Sequence, residues 1–240
     1  MNIVDETSEV YEVIGREQTV FGEAILRRYL CGPTIGYEIR LNGRYVMGTR
    51  DGPTERRLAI DAWSRLPKGN EPLAILVGGL GLGYMLDALL ELDRIESVTL
   101  VEISNAVVGW CRQFGAGNER SVLDDSRVSI VIDDFYMFLR NTNQVFDLIL
   151  VDIDNGPLNL AVSENCRLYG AEAMPLYAAR LRSRGILAIW SSDNAALLAH
   201  YMRTEFGNID AECVASGDVS LPPDVLYFSR TTASNTTLFV

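Results

Sequence analysis

Residues 73–92 read LAILVGGLGLGYMLDALLEL. A short apolar run ending at Val77 leads into a loop with four glycines, and an apolar helical pattern follows from Tyr84 onward. Strand, glycine loop and helix in this order are typical of nucleotide-binding folds, because glycine lets the backbone turn sharply and approach a ligand without a Cβ in the way. We therefore predict that three loop residues contact a nucleoside: Gly79, Gly81 and Gly83.

Short apolar strands alternate with helices on the C-terminal side of this loop. The strands are predicted near residues 73–77, 97–101, 128–132, 147–151, 186–190, 209–214 and 225–229. This rhythm predicts an α/β fold, a Rossmann-like doubly wound sheet whose strands are mainly parallel. We expect residues 158–167 to form a mobile loop within it.

The N-terminal part of the chain has a different pattern. Alternating residues predict strands near 10–14, 24–29, 37–41 and 45–47, and Asn42-Gly43 between the last two is a strong hairpin signal. A helix is expected from Thr54 to Leu66, after Asp51-Gly52-Pro53. We predict a small antiparallel β-hairpin domain in residues 1–55 and a Rossmann-like catalytic domain in residues 56–240.

Acidic residues stand at the ends of three predicted strands. Glu102 ends the second strand, Asp133 and Asp134 follow the third, and Asp152 and Asp154 follow the fourth. Ligands of open α/β sheets bind at the carboxyl ends of strands, so we expect these side chains beside the glycine loop. Glu102 has the spacing of an acid that accepts ribose hydroxyls, and one of the two adjacent aspartates is expected to cap the next helix.

Composition excludes several classes of function. The net charge of −11 offers no basic surface for nucleic acid or an anionic membrane, and it is compatible with a small cationic substrate. The polar, acidic start and the lack of a long apolar run favour a cytoplasmic location. Four separated cysteines and one histidine suggest neither a zinc site nor a Ser-His-Asp apparatus. They are Cys31, Cys111, Cys166, Cys213 and His200.

Together these motifs resemble the spermidine/spermine synthase family, the polyamine aminopropyltransferases, over about residues 10–190. The resemblance rests on the glycine loop, on Val101-Glu102-Ile103, and on segments 127–134 and 147–157. It implies a homodimer, free of metal, that moves an aminopropyl group from decarboxylated S-adenosylmethionine to an amine and releases methylthioadenosine.

The resemblance also implies roles for individual residues. Glu102 would hold the ribose, Asp134 would accept the adenine amino group, and Asp152 would orient and deprotonate the attacking amine. Apart from the roles carried over from the family, the chemistry of the reaction suggests that Asp154 holds the far end of a diamine and that Tyr169 assists Asp152.

The chain departs from the family pattern at three places on the substrate side. Gly81 stands where family members carry an acid in the glycine loop, and Asn155 stands where they carry a second acid after the catalytic one. A substrate-contacting Tyr-His-Glu or Tyr-Gln-Glu segment is replaced by Glu55-Arg56-Arg57. The nucleoside half of the site is therefore better kept than the amine half.

These departures leave other functions open. An S-adenosylmethionine-dependent methyltransferase of class I would use the same type of sheet, although such enzymes usually place an acid where this chain has Val77. A catalytically silent nucleoside-binding homologue is a second alternative. A third is alkyl transfer or cyclisation of intact S-adenosylmethionine, whose carboxylate would meet Arg50, Arg56 or Arg57.

Overall fold

The computed structural model describes residues 10–19, 21–31, 34–115, 121–216 and 221–232. The chain opens with an antiparallel sheet of four strands in sequential order. They are β1 (Val10–Thr19), β2 (Gly22–Cys31), β3 (Thr34–Leu41) and β4 (Arg44–Gly48). The predicted hairpin joins the last two, and Asn42 and Gly43 have φ angles of 51° and 78°, as a two-residue turn with both residues left-handed requires.

A second sheet of seven strands forms the centre of the molecule, with strand order β10-β11-β9-β8-β5-β6-β7. Its strands are β5 (Leu73–Gly78), β6 (Ile95–Glu102), β7 (Val128–Ile132), β8 (Phe146–Val151), β9 (Leu181–Ser191), β10 (Asp210–Val214) and β11 (Asp224–Arg230). The strands β5 to β9 run parallel, whereas β11 pairs antiparallel with β9 and with β10.

Six helices accompany this sheet in the described part of the chain. They are α1 (Gly52–Ser64), α2 (Tyr84–Leu90), α3 (Asn105–Phe114), α4 (Phe135–Asn141), α5 (Ala173–Arg180) and α6 (Ala196–Phe206). None of them has the length and hydropathy needed to cross a membrane. His200 lies exposed on α6, away from the site described below.

Alternate residues of the central strands enter two separate cores. Ile75 and Val77 of β5 pack with α1, α2 and α3 on one face, while Leu76 packs with α4, α5 and α6 on the other. All three are at most 1% exposed, because a parallel strand covered on both faces buries every side chain. Packing on both faces therefore holds the carboxyl ends of these strands in position.

This architecture confirms the predicted Rossmann-like sheet with its small antiparallel β-domain. Several boundaries differ from the predictions; among them, β1 continues to Thr19, β9 begins at Leu181, and α1 begins at Gly52, so residue 55 lies inside a helix. Segment 158–167, predicted as a loop, enters a short 3-10 turn at Ser163–Leu168.

The N-terminal sheet lies against the carboxyl edge of the central sheet. The Asn155 side-chain amide donates to the Tyr45 carbonyl across 3.0 Å, and the Met47 side chain packs onto Gly81. Residues of both sheets therefore enclose the space in front of the glycine loop.

Candidate active site

A cavity of about 370 Å³ lies between the carboxyl ends of β5 to β8 and the N-terminal sheet. Its walls include glycine-loop residues, Met47 from β4, and Trp190 from the end of β9. Such a volume falls in the range of pockets that hold a small-molecule ligand. Seven of the predicted site residues line it: Gly79, Gly81, Glu102, Asp133, Asp134, Asp152 and Asp154. Gly83 belongs to the same loop but is not part of the lining.

The glycine loop needs glycine for two different reasons. Gly79, Gly81 and Gly83 all have positive φ angles, of 90°, 53° and 84°, which side chains rarely adopt. In addition, a Cβ on Gly79 would lie 2.1 Å from the carbonyl oxygen of Asp152, and one on Gly81 would lie 2.7 Å from Met47 Cε. The loop therefore brings its backbone into contact with the residue that follows β8.

Glu102 fixes the position of the glycine loop. Its carboxylate accepts the backbone N–H of Leu80 at 3.0 Å and that of Ser104 at 2.9 Å. Burial raises the pKa of Glu102, and these backbone N–H groups oppose that rise. Each carboxylate oxygen keeps a second lone pair that can accept a ribose hydroxyl.

The two aspartates after β7 have different surroundings. Asp134 caps α4 by accepting the Met137 N–H at 2.9 Å, and its other oxygen forms an ion pair with Arg167. Asp133 is exposed at the cavity and accepts only the N–H of Asp134, at 2.8 Å, among the described residues. The role of helix cap, expected for one of the pair, thus falls to Asp134.

Asp152 lies at the end of β8 with its carboxylate facing the cavity. Burial, and then repulsion from Asp51 and Asp224, raises its pKa to about 7. No hydrogen bond to this carboxylate comes from the described part of the chain. Its backbone N–H is held by the Gly78 carbonyl at 3.0 Å, so the main chain is anchored while the side chain is available to a ligand.

The carboxylate of Asp154 is engaged by the segment that follows it. It accepts the N–H groups of Ala161 and Val162 at 2.7 and 3.3 Å and the side-chain amide of Asn165 at 2.6 Å. Asp154 itself has a positive φ of 60°. Through these hydrogen bonds, Asp154 holds the following segment in place. Its contact with a diamine stays a prediction.

Tyr169 is buried outside the cavity lining. Its hydroxyl donates to the carbonyl oxygen of Ile153, between the two aspartates, and only 3% of the residue is exposed. Burial raises the pKa of its hydroxyl well above the usual value. The arrangement suits a residue that positions the main chain beside Asp152.

Three further acids near the cavity were not among the predicted site residues. Asp51 precedes α1 and accepts hydrogen bonds from the Tyr45 hydroxyl and the Gly48 N–H. Glu55, in the first turn of α1, is 4% exposed and lines the cavity. Asp224 begins β11 and is 5% exposed; burial raises its pKa to about 6.

Asp224 could be predicted as a site residue from the sequence only if the direction of its strand, β11, were known. Because β11 is antiparallel to β9, its first residue lies at the edge where the parallel strands end, and Val225 pairs with Ser191. Glu55 occupies the position where the family resemblance expects a substrate-contacting residue, and this position was the available signal.

The cavity is acidic and lacks a basic side chain among its described lining residues. Eight carboxylates line it: Glu17, Asp51, Glu55, Glu102, Asp133, Asp134, Asp152 and Asp154. Arg56 pairs with Asp87, Arg57 pairs with Asp61, and Arg50 stacks on Tyr29. None of these three arginines lines the cavity, so they are not placed to meet a carboxylate there.

The model of the family described as spermine/spermidine synthase domain matches residues 65–215, well over half of the chain. The chain belongs to this family. Curated members similar to it include the polyamine aminopropyltransferases of Escherichia coli O1:K1 and Klebsiella pneumoniae strain 342, each 39% identical over 87 residues. That alignment covers 36% of this chain and 30% of either relative, so the shared segment is less than a third of those proteins.

Solved spermidine synthases have the same fold. The enzyme of Thermotoga maritima superposes with a TM-score of 0.75 at 19% identity, over 92% of this chain and 73% of that one. A spermidine synthase in complex with the transition-state analogue AdoDATO gives a TM-score of 0.76 at 20% identity, over 92% and 74%. The spermine/spermidine synthase fold therefore extends over both sheets of the present chain.

Proposed function

We propose that this protein transfers an aminopropyl or related alkyl group from a decarboxylated S-adenosylmethionine-type sulfonium to an amine, with release of methylthioadenosine. The observation that carries the proposal is the cavity of eight carboxylates without a basic lining side chain. Such a cavity favours cationic ligands and disfavours a donor that brings its own carboxylate. Membership of the spermine/spermidine synthase family supports the same reaction class.

The nucleoside half of the donor is assigned to the glycine loop and the acids beside it. Glu102 would accept the ribose hydroxyls with the lone pairs left after binding Leu80 and Ser104. Asp133 and Asp134 would face the adenine, and the less engaged carboxylate of Asp133 suits the amino group better than that of the capping Asp134. Gly79 and Gly81 would allow the ligand to approach the backbone closely.

Asp152 is the proposed proton acceptor. The acceptor amine nitrogen attacks the carbon bonded to the sulfonium, a new C–N bond forms, and the C–S bond breaks with its electrons going to sulfur. The proton of the amine passes to the Asp152 carboxylate, whose pKa of about 7 lies near neutral pH. Tyr169, through the Ile153 carbonyl, would position the main chain of this residue.

A catalytic test incubates purified protein and a small diamine with decarboxylated S-adenosylmethionine or, in a parallel reaction, with intact S-adenosylmethionine, and identifies the released nucleoside by mass spectrometry. Methylthioadenosine is the expected product. The variant Asp152→Asn should lose at least about 100-fold in turnover, as removal of a general base does, and should still bind methylthioadenosine. Asp93→Asn, an exposed residue before β6 at the opposite edge of the sheet, is the matched control.

Each failure of this test has a distinct meaning. Release of S-adenosylhomocysteine from the intact donor, without methylthioadenosine, would establish methyl transfer instead. Nucleoside binding without turnover of either donor would establish a silent homologue. The predicted homodimer and cytoplasmic location remain predictions beside the proposed reaction.

A further inference from the structure

We propose that Met47 is a donor-specificity residue, whose thioether side chain contacts the alkyl group on the donor sulfur in the room that Gly81 leaves free. This role of Met47 rests on the proposed function, because it names the part of the donor that the side chain contacts. Donor selection is thereby assigned to the N-terminal sheet, which carries none of the predicted site residues.

The Met47 side chain occupies the space directly over Gly81. A Cβ built on Gly81 would lie 2.7 Å from Met47 Cε and 3.0 Å from Met47 Sδ. Both residues line the cavity, and Met47 is largely buried. The lack of a side chain at Gly81 therefore leaves room for a thioether at the wall of the cavity.

Contacts of the glycine loop place Met47 between the ribose site and the proposed proton acceptor. Gly79 lies so close to Asp152 that a Cβ would be 2.1 Å from the Asp152 carbonyl oxygen, and the N–H of Leu80 donates to Glu102. The residue after Leu80 is the one that Met47 covers. An alkyl group that leads from a ribose at Glu102 to an amine at Asp152 therefore passes the thioether.

The strand that carries Met47 is also attached to the segment after β8. Asn155 donates to the Tyr45 carbonyl at 3.0 Å, two residues before Met47. After burial, repulsion from Asp51 raises the pKa of Asp152, so these two carboxyl groups lie close together just beyond the end of β4. Met47 is thus held beside the reacting end of the cavity.

The N-terminal sheet gives the cavity an apolar wall around Met47. Ile39 of β3 pairs with Met47, is buried and lines the cavity, as Ala24 of β2 does. Apolar side chains bind methylene groups by removing them from water, and an unbranched thioether adapts its shape to an irregular surface. A short alkyl chain therefore fits between this wall and the acidic edge of the central sheet.

The test measures the binding of two nucleosides that differ only in the alkyl group on sulfur, methylthioadenosine and 5′-butylthio-5′-deoxyadenosine, by isothermal titration calorimetry. Both are neutral thioethers, so no group is transferred. The wild type should bind the butyl compound at least about tenfold more tightly, because three further methylene groups are buried. Met47→Ala should remove most of that preference and change methylthioadenosine binding by less than about threefold.

Three further variants define the cause. Met47→Leu keeps an apolar side chain of similar volume and should retain the preference within about threefold. Met137→Ala removes an exposed methionine of α4 that is not part of the cavity lining, and it should bind both nucleosides as the wild type does. Gly81→Ala places a Cβ against Met47, displaces that side chain and should lower the preference by at least about threefold.

Thermal melting shows which variants fold, and Gly81→Ala keeps the test decisive if Met47→Ala does not. Met47 lacks the proposed role if the wild type binds both nucleosides equally, if folded Met47→Ala or Gly81→Ala keeps the full preference, if Met47→Leu loses it, or if Met47→Ala weakens both nucleosides alike. Failure of the proposed function is a separate outcome, because it is a lack of methylthioadenosine formation from the decarboxylated donor by a wild type whose nucleoside binding is measured at equilibrium.

Discussion

At the scale of single residues, the Asp152 carboxyl group loses its proton less readily in the folded protein than an exposed aspartate does. Its pKa of about 7 lies above the unfolded value of 3.8 because of burial and then repulsion from Asp51 and Asp224. A raised carboxyl pKa stabilises the fold below the unfolded value, and that contribution is lost as the pH rises through the folded value. The affected window is therefore pH 4 to 7.

The upward direction of this pKa shift predicts how Asp152→Asn changes the pH dependence of thermal stability. The difference in melting temperature, variant minus wild type, should increase by at least about 2–4 °C between pH 4 and pH 7. This increase corresponds to about 1 kcal/mol in a chain of this size. Differential scanning calorimetry across the window measures it. Asp93→Asn, exposed on a turn, should follow the wild type throughout. A constant difference between Asp152→Asn and the wild type would contradict the assignment.

Gly79 gives a second prediction at this scale. Gly79→Ala should lower the free energy of unfolding by about 3 kcal/mol, because the new Cβ meets both a positive φ and the Asp152 carbonyl oxygen at 2.1 Å. Gly43→Ala has a similar φ of 78° and open space around the Cβ, and it should cost only about 1 kcal/mol. Urea unfolding measures both, and equal losses would show that the close approach to Asp152 is unimportant.

At the scale of elements, Asp154 organises the segment after β8. Asp154→Ala should accelerate amide hydrogen exchange at Ala161 and Val162 by about tenfold, because each N–H loses its acceptor. Glu164→Ala changes an exposed acid of the same segment and should leave those amides protected. If exchange is unchanged and only the KM for the amine rises, Asp154 holds the far end of the diamine, as predicted from the sequence.

The individual strands and helices also show which parts of the fold and of the site could be predicted from the sequence. Apolar periodicity predicted the central strands, and the carboxyl-end rule predicted that Glu102, Asp133, Asp152 and Asp154 would share one cavity, which they do. The rule fails for Asp224, because the direction of β11 comes from its pairing with β9 and is not encoded in local pattern. Glu55 belongs to a segment that departs from the family pattern, and an acid in the first turn of a helix also has an ordinary role near the helix dipole, so the sequence does not single it out.

At the scale of the whole molecule, part of the acidic composition is gathered around the cavity. Eight of the 32 acidic residues line one cavity, so the net charge of −11 is partly a property of the site. The family match and the two-sheet fold explain how the chain encloses that cavity. Under the proposed function, the donor that the acidic cavity accepts determines which group is transferred.

The choice between the two donors therefore tests the proposed reaction most directly. The wild type is given equal concentrations of decarboxylated and intact S-adenosylmethionine with 1,4-diaminobutane at neutral pH, and the ratio of methylthioadenosine to S-adenosylhomocysteine is measured by mass spectrometry. We expect methylthioadenosine in large excess, and we expect its formation to depend on the decarboxylated donor. An excess of S-adenosylhomocysteine, with a methylated amine, would contradict it.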